Sequence, residues 1–443
     1  MRHLWGASPS IHGPSSIIHH PSSIIHHPTA CYHTIMTNLE RIPVEILDPP
    51  HLLALTVAQR IATLIRERAS ADRRCVLGLA TGSTPIGIYH ELVRMHHEEG
   101  LSFANVTTFN LDEYWPMQPD SVHSYHRFMR EHLFDLVDLD PAHTHLPRGD
   151  TARDSVAAEC TAYETMIRDA GGIDLQLLGI GKTGHIGFNE PGSGADSRTR
   201  LVNLDTVTRR DAASDFYGEQ NVPRQAITMG VATILEAREI VLLATGEHKA
   251  AIIRRTVEGE IDHDVAATFL QAHPRTTIYC DAAAAAQLTR IATPWLVDEV
   301  EWSRGLELRA VVWLSLKTGR AILKLTERDY IEHHLGSLIA GSGGPGTVNG
   351  RVFNTLGAKI RGKSKLPHNQ TVICFSPHPD DDVISAGGIL HKLHVNGNRI
   401  VVAYCTSGNI AVFDHDVLRY IEVLERLAAD EHLARRRTDS LTD

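Results

Sequence analysis

The chain has 443 residues, with 43 Lys and Arg against 53 Asp and Glu, which gives a formal charge of −10. A hydrophobic share of 42% and a charged share of 22% are ordinary globular values, and no apolar run approaches the roughly 18–20 residues of a membrane-spanning helix, which excludes a wholly disordered chain and a helical membrane protein. The acidic balance gives no footprint for nucleic acid, and the length corresponds to two or three domains of about 100–200 residues each.

Residues 1–35 hold seven of the 28 histidines and a tandem PSSIIHH repeat at Pro14–His20 and Pro21–His27. Pro and His interrupt every apolar stretch, so this is no secretory signal. It reads as low-complexity sequence, expected to be disordered or to precede the physiological start at Met36. From Met36 onward, short β-branched runs alternate with longer amphipathic stretches, the pattern of parallel βαβ units. Strands are expected at Cys75–Leu79, Val106–Phe109, Ile173–Leu178, Glu239–Ala244 and Thr276–Cys280, with helices at Leu52–Arg68, Ser155–Asp169 and Lys249–Glu258. The predicted fold is α/β: a doubly wound, Rossmann-like parallel sheet over residues 36–290, with ligands at the carboxyl ends of its strands.

Residues 291–366 read as a helical connector. It includes Gly341–Gly350 (GSGGPGTVNG), expected to be a flexible linker, and a basic loop (Lys359, Arg361, Lys363, Lys365) expected to be solvated. Val372–Phe375 reads as a buried strand opening a partial second α/β domain over residues 367–443. The Arg435–Arg437 run and the polar ending TDSLTD read as truncation or an altered frame. The six cysteines (Cys31, Cys75, Cys160, Cys280, Cys374, Cys405) form no C-x-x-C pair, and a reducing cytoplasm is the expected location.

Four segments carry chemistry. Ala80-Thr81-Gly82-Ser83-Thr84-Pro85 joins a strand to a helix, so its backbone N–H groups, hydroxyls and helix N-terminus suit a phosphate cradle, a structural turn being the alternative; neither a Walker loop nor G-x-G-x-x-G is present. Asn110-Leu111-Asp112-Glu113-Tyr114 puts two adjacent carboxylates at a strand's carboxyl end. One can face the cleft while the other holds the loop, and Asp112 is the candidate for proton transfer, a helix-capping Asp being the alternative. In Leu178–Gly192 five glycines bend the backbone after a strand and present His185, with Glu190 five residues on, a pairing suited to acid–base work on a sugar hydroxyl or ring oxygen. Lys249, in LATGEHK, opens a further helix after a strand, where a phosphate meets both ammonium and helix terminus.

Together FNLDEY, LGIGKTGHIGFNEPG, TGSTP and TGEHKA resemble the glucosamine-6-phosphate deaminases, within the wider deaminase/6-phosphogluconolactonase group, across about residues 40–290. The resemblance implies hydrolysis of glucosamine 6-phosphate to fructose 6-phosphate and ammonia, with a phosphosugar as the small-molecule partner and no metal or organic cofactor. It implies that Asp112 moves a proton between C2 and C1, that His185 opens the pyranose ring with help from Glu190, and that Thr81, Gly82, Ser83, Thr84 and Lys249 hold the phosphate. It also allows a homo-oligomer. Two positions depart from the family pattern: Thr183 stands where better-known members have an Asp, and the phosphate-binding arginine aligns near Ser214 or Asp215, so that Arg209, Arg210 or Arg224 would have to substitute. A non-catalytic sugar-phosphate regulator and a lactone hydrolase are the alternatives.

In the last segment, Ser376-Pro377-His378-Pro379-Asp380-Asp381-Asp382 follows a strand and resembles the H-P-D-D motif of the LmbE/PIG-L-like zinc N-deacetylases. The resemblance implies His378 and Asp381 as zinc ligands and Asp380 as the base on a metal-bound water. The remaining ligand would come from His391, His394, His415 or His432, and an incomplete zinc site is expected.

Overall fold

The computed structural model describes residues 39–360 and 366–406, together with 418, 421 and 422. The low-complexity start with Met36, the basic loop at Arg361, Lys363 and Lys365, the side chain of Lys359, His415, His432 and the Arg435–Arg437 ending lie outside the described residues. The chain divides into two compact units between residues 301 and 302.

In the first unit the chain runs β1 (Val44–Ile46), α1 (His51–Ser70), β2 (Cys75–Leu79), α2 (Ile86–Glu99), β3 (Val106–Asn110), β4 (Asp112–Trp115), α3 (Tyr125–His132), β5 (Thr144–His145) and α4 (Val156–Asp169). It continues through β6 (Leu175–Gly179), β7 (Arg200–Asn203), α5 (Thr206–Asp211), β8 (Gln225–Thr228), α6 (Val231–Leu235), β9 (Ile240–Ala244), α7 (Ala250–Glu258), β10 (Thr276–Cys280) and α8 (Thr289–Ala292). Seven of these strands form one parallel sheet in the order β1-β10-β9-β6-β2-β3-β5.

Side chains alternate across that sheet, as the pleat demands. Leu77 and Leu79 of β2 and Val241 and Leu243 of β9 pack with Leu53, Val57 and Ile61 of α1 and with Ile88 and Leu92 of α2. Val76 of β2 and Ile240 and Leu242 of β9 belong to the other face, with Tyr163 and Ile167 of α4, Ile234 of α6 and Ile253 and Val257 of α7. Helices thus close both faces, and each fully buried Leu or Ile contributes roughly 1.5–3 kcal/mol. The expected doubly wound sheet is present, with β6 displaced slightly C-terminal of the predicted Ile173–Leu178 run.

A buried charge ties the sheet to its helices. Asp174, 4% exposed, accepts hydrogen bonds from Arg68 at 2.7 Å, Arg238 at 2.9 Å and the Val76 N–H at 3.0 Å. Asp174→Ala leaves two guanidinium groups facing an uncharged site, and is expected to lower unfolding free energy by about 3 kcal/mol, read as an earlier urea midpoint at unchanged m.

A second, antiparallel sheet, β4-β8-β7, has no counterpart among the predicted strands. Its strands have four residues each, DEYW, QAIT and RLVN, too short to register a period. A single residue, Leu111, separates the end of β3 in the large sheet from the start of β4 in the small one.

The second unit holds α9 (Arg304–Thr318), α10 (Glu327–Glu332), α11 (Gly336–Ala340), α12 (Pro345–Ile360), β11 (Thr371–Ser376), α13 (Asp381–Ile384), α14 (Gly387–Val395) and β12 (Arg399–Tyr404), with β11 and β12 parallel. Two expectations are corrected here. The Gly341–Gly350 segment is not open linker throughout, since α12 begins within it at Pro345, a residue well suited to a first helical turn. Packing overrides composition: Val348 and Val352 are buried, and Asn349 accepts from Tyr330 Oη at 2.7 Å and donates to the Leu325 carbonyl at 2.8 Å. The Val372–Phe375 strand exists as part of β11, but it is not buried on both sides, since Ile373 and Phe375 are 55% and 72% exposed. None of the described helices is long and apolar enough to cross a membrane.

Candidate active site

Strand order locates the site. From β2 the chain moves outward through β3 to β5, and from β6 it moves the other way through β9 to β10, while β2 and β6 are neighbours. A reversal of this kind opens a crevice at the strands' carboxyl ends. There the loop after β2 and the loop after β6 line a cavity of about 290 Å³.

The structure brings the predicted residues of the first unit together at this cavity. Thr81, Gly82, Ser83 and Thr84 line it, as do Asp112, His185 and Lys249. Glu190 stands behind His185 rather than in the lining, its Oε2 3.2 Å from His185 Nδ1. A larger groove of about 560 Å³, lined by α4 and β7, contains none of these residues.

The two adjacent carboxylates divide their work. Glu113, 1% exposed, accepts from the backbone N–H groups of Tyr114, Tyr125 and His126 at 2.9–3.2 Å and lies 3.1 Å from His126 Nδ1. It therefore caps α3, and the helix-capping alternative falls to Glu113 rather than Asp112. Asp112 is 6% exposed and lines the cavity. Burial, reinforced by the Glu113 charge, pushes its carboxyl up to about 8. A carboxyl so placed is nearly neutral at rest and a strong enough base to remove a carbon-bound proton.

His185 is fixed at one end. Its Nδ1 is 3.0 Å from Thr183 Oγ1, 3.3 Å from Thr208 Oγ1 and 3.2 Å from Glu190 Oε2. Glu190 Oε2 stands within ion-pair distance of that nitrogen, while Glu190 Oε1 accepts the Asp205 N–H at 3.2 Å. Burial raises the Glu190 pKa, but His185, Thr208 and the Asp205 N–H outweigh it and hold the carboxyl below its ordinary value. The position of Thr183 is thus not empty of function, since a hydroxyl and a more distant carboxylate share the nitrogen that an Asp could have held.

Two glycines make room for these groups. A Cβ on Gly181 would fall 2.1–2.5 Å from the His185 ring, and one on Gly187, whose φ is +54°, would fall 3.2 Å from Asp112 Oδ2 and 2.9 Å from Thr228 Oγ1. Lys249 reaches in from the turn before α7 and donates to the Ile180 carbonyl at 2.7 Å. Burial lowers its ammonium pKa, against an opposing pull from Asp211.

Tyr125, Thr208, Asp211 and Asp215 also line the cavity; of these, sequence reasoning had singled out only Asp215, as a position near which the family's phosphate-binding arginine aligns. The Ser124 cap that starts α3 at Tyr125 was a readable signal for the first. The other three come from α5 and the turn after it, brought to the site by tertiary packing. None of the arginines expected to substitute lines the cavity. Arg209 and Arg210 lie 3.7 and 3.9 Å from Glu219, and Arg224 is exposed.

In the second unit His378 Nδ1 lies 3.0 Å from Asp381 Oδ2, so the two expected zinc ligands bond to each other. His391 and His394 fall on α14. Among the described residues no third His, Cys, Asp or Glu joins His378, Asp380 or Asp381 in a group able to hold a metal ion. That donor set does not fit a catalytic zinc site, which takes three protein ligands.

Residues 48–279 match the model of the glucosamine-6-phosphate isomerase/6-phosphogluconolactonase family, and residues 373–441 match that of the GlcNAc-PI de-N-acetylases. The chain is 44% identical over 405 residues to a glucosamine-6-phosphate deaminase-like protein of Bacteroides thetaiotaomicron, covering 88% of this chain and 61% of that protein. It is 48% identical over 257 residues to a glucosamine-6-phosphate deaminase of Rhodopirellula baltica, covering 58% of this chain and all of the relative. Among solved structures, a monomeric glucosamine-6-phosphate deaminase aligns at 41% identity with a TM-score of 0.53, over 55% of this chain and 99% of that one.

Proposed function

Because the chain belongs to the family of glucosamine-6-phosphate isomerases and 6-phosphogluconolactonases, we propose that residues 36–290 convert glucosamine 6-phosphate and water to fructose 6-phosphate and ammonia. One observation carries this reading: Asp112, His185, Lys249 and the Thr81–Thr84 loop line a single cavity.

The Thr81–Thr84 amides and Lys249 bind the phosphate. His185, oriented through Nδ1, exchanges a proton through its other nitrogen with the sugar ring and opens the pyranose to the aldehyde. Asp112 then removes the proton from C2, giving an enol, and returns it to C1, which moves the carbonyl chemistry to C2 as an imine. Water adds at C2, the C–N bond breaks, and ammonia leaves with the ketose. Each acid–base group is asked for about 10²–10⁴ in rate.

The test is ammonia release from glucosamine 6-phosphate by the full chain. Release supports the reading, and binding of the phosphosugar without release would replace it by the regulator alternative. Lys249→Met is expected to raise KM for glucosamine 6-phosphate by about tenfold or more, with a smaller change in kcat, because a charge-assisted hydrogen bond to a bound anion is lost. Steady-state kinetics on the variant decides it.

A further inference from the structure

The wall of the cavity contributed by α5 and the turn after it is acidic. Asp211 and Asp215 both line the cavity. Asp211 takes the Lys182 ammonium at 2.6 Å, so that cation is occupied before any ligand arrives. Asp215 is exposed, accepts from Ser214 Oγ at 3.4 Å and has no ion pair among the described residues. Its charge is felt inside the cavity, at the Tyr114 hydroxyl. Against these stand Lys249 and His185, the cationic or potentially cationic side chains of the described lining.

Taking the Lys182–Asp211 pair as neutral leaves Lys249 opposed by Asp215. A phosphate dianion entering this cavity therefore meets about one compensating charge for its two, with a further carboxylate at the wall, and a cleft concentrates that imbalance. The ammonium of an amino sugar, in contrast, is favoured by the same carboxylate. Specificity is a difference of affinities, and an unpaired charge facing the ligand is an efficient way to set it.

On the deaminase reading, we infer that Asp215 is a specificity-determining residue that weakens the site's demand for a phosphorylated substrate, so that the unphosphorylated amino sugar is turned over as well. Asp215 acts on binding and not on the proton transfers, which belong to Asp112 and His185.

The experiment measures kcat/KM of the full chain for glucosamine 6-phosphate and for glucosamine, in the wild type, Asp215→Asn and Asp215→Arg, at low and high salt. The wild type is expected to favour the phosphosugar by no more than about tenfold. Asp215→Arg is expected to widen that ratio by about tenfold, through KM for the phosphosugar, with Asp215→Asn intermediate and the effect shrinking at high salt. A wild-type preference of about a thousandfold or more, unmoved by either substitution, would overturn the inference. Failure of both sugars to release ammonia would instead overturn the deaminase reading. Calorimetry with inorganic phosphate then decides the inference separately: binding about tenfold tighter in Asp215→Arg sustains it, and unchanged binding overturns it.

Discussion

Asp112→Asn is expected to lower kcat for glucosamine 6-phosphate by about 10²–10⁴-fold while making the protein more stable at neutral and alkaline pH. Both effects come from one carboxyl that is 6% exposed and pushed up to about 8 by burial and the Glu113 charge. Only the ionised form can take the C2 proton, so kcat/KM of the wild type should rise with pH toward about 8, with roughly a tenth of the enzyme in the basic form at pH 7. The folded state prefers the neutral acid, whereas the unfolded chain releases that proton near its ordinary value of 3.8. This preference supports folding fully below the unfolded value and is lost as pH rises through about 8, so native stability declines across that window. Asn has nothing to ionise. The stability gap between variant and wild type should therefore be small near pH 4 and grow to the order of a few kcal/mol near pH 8. Thermal unfolding at the two pH values checks it; a gap that does not widen would contradict burial as the cause.

His185→Gln is the second large loss, about 10²-fold or more in kcat, because an amide can donate a hydrogen bond but neither gives up nor takes a proton near neutral pH. Glu190→Gln tests how the imidazole is held. Its carboxyl lies below the ordinary range because His185, Thr208 and the Asp205 N–H outweigh the cost of burial. Its support of the fold is accordingly present above the ordinary 4.5 and lost as pH falls through the lowered value. Glu190→Gln should cut kcat at neutral pH by about tenfold or more, and adding Thr183→Asp to that variant should recover part of the loss, since the Thr183 oxygen is already 3.0 Å from Nδ1. A double variant no better than Glu190→Gln would mean that charge at Nδ1 is not what the histidine requires.

Much of the site was legible because it is local. The phosphate loop, the Asp112–Glu113 pair and the His185 turn each follow a strand within a few residues, and their glycines, hydroxyls and carboxylates announce a tight loop at a strand's end. The α5 wall was legible only near Asp215, where the family's arginine aligns, because Thr208 and Asp211 reach the cavity only after α5 packs there, and nothing in TVTRRD distinguishes an active-site helix from a surface one. The small sheet escaped for a different reason: four-residue strands acquire their identity from partners distant in sequence. The α12 correction is a third case, in which Gly-rich composition signals a linker until Asn349 and Tyr330 are seen to bond.

The position of Asp112 at the junction of the two sheets has a consequence for how the protein is made. Asp112 pairs with Thr228, 116 positions later, and the cavity is not closed until Lys249 has also been added. A chain emerging from its N-terminus presents the carboxyl early, in water, as an ordinary acid. Its unusual proton affinity arrives only when a late strand buries it. Catalytic competence is therefore a property of the finished fold rather than of the strand that carries the carboxyl.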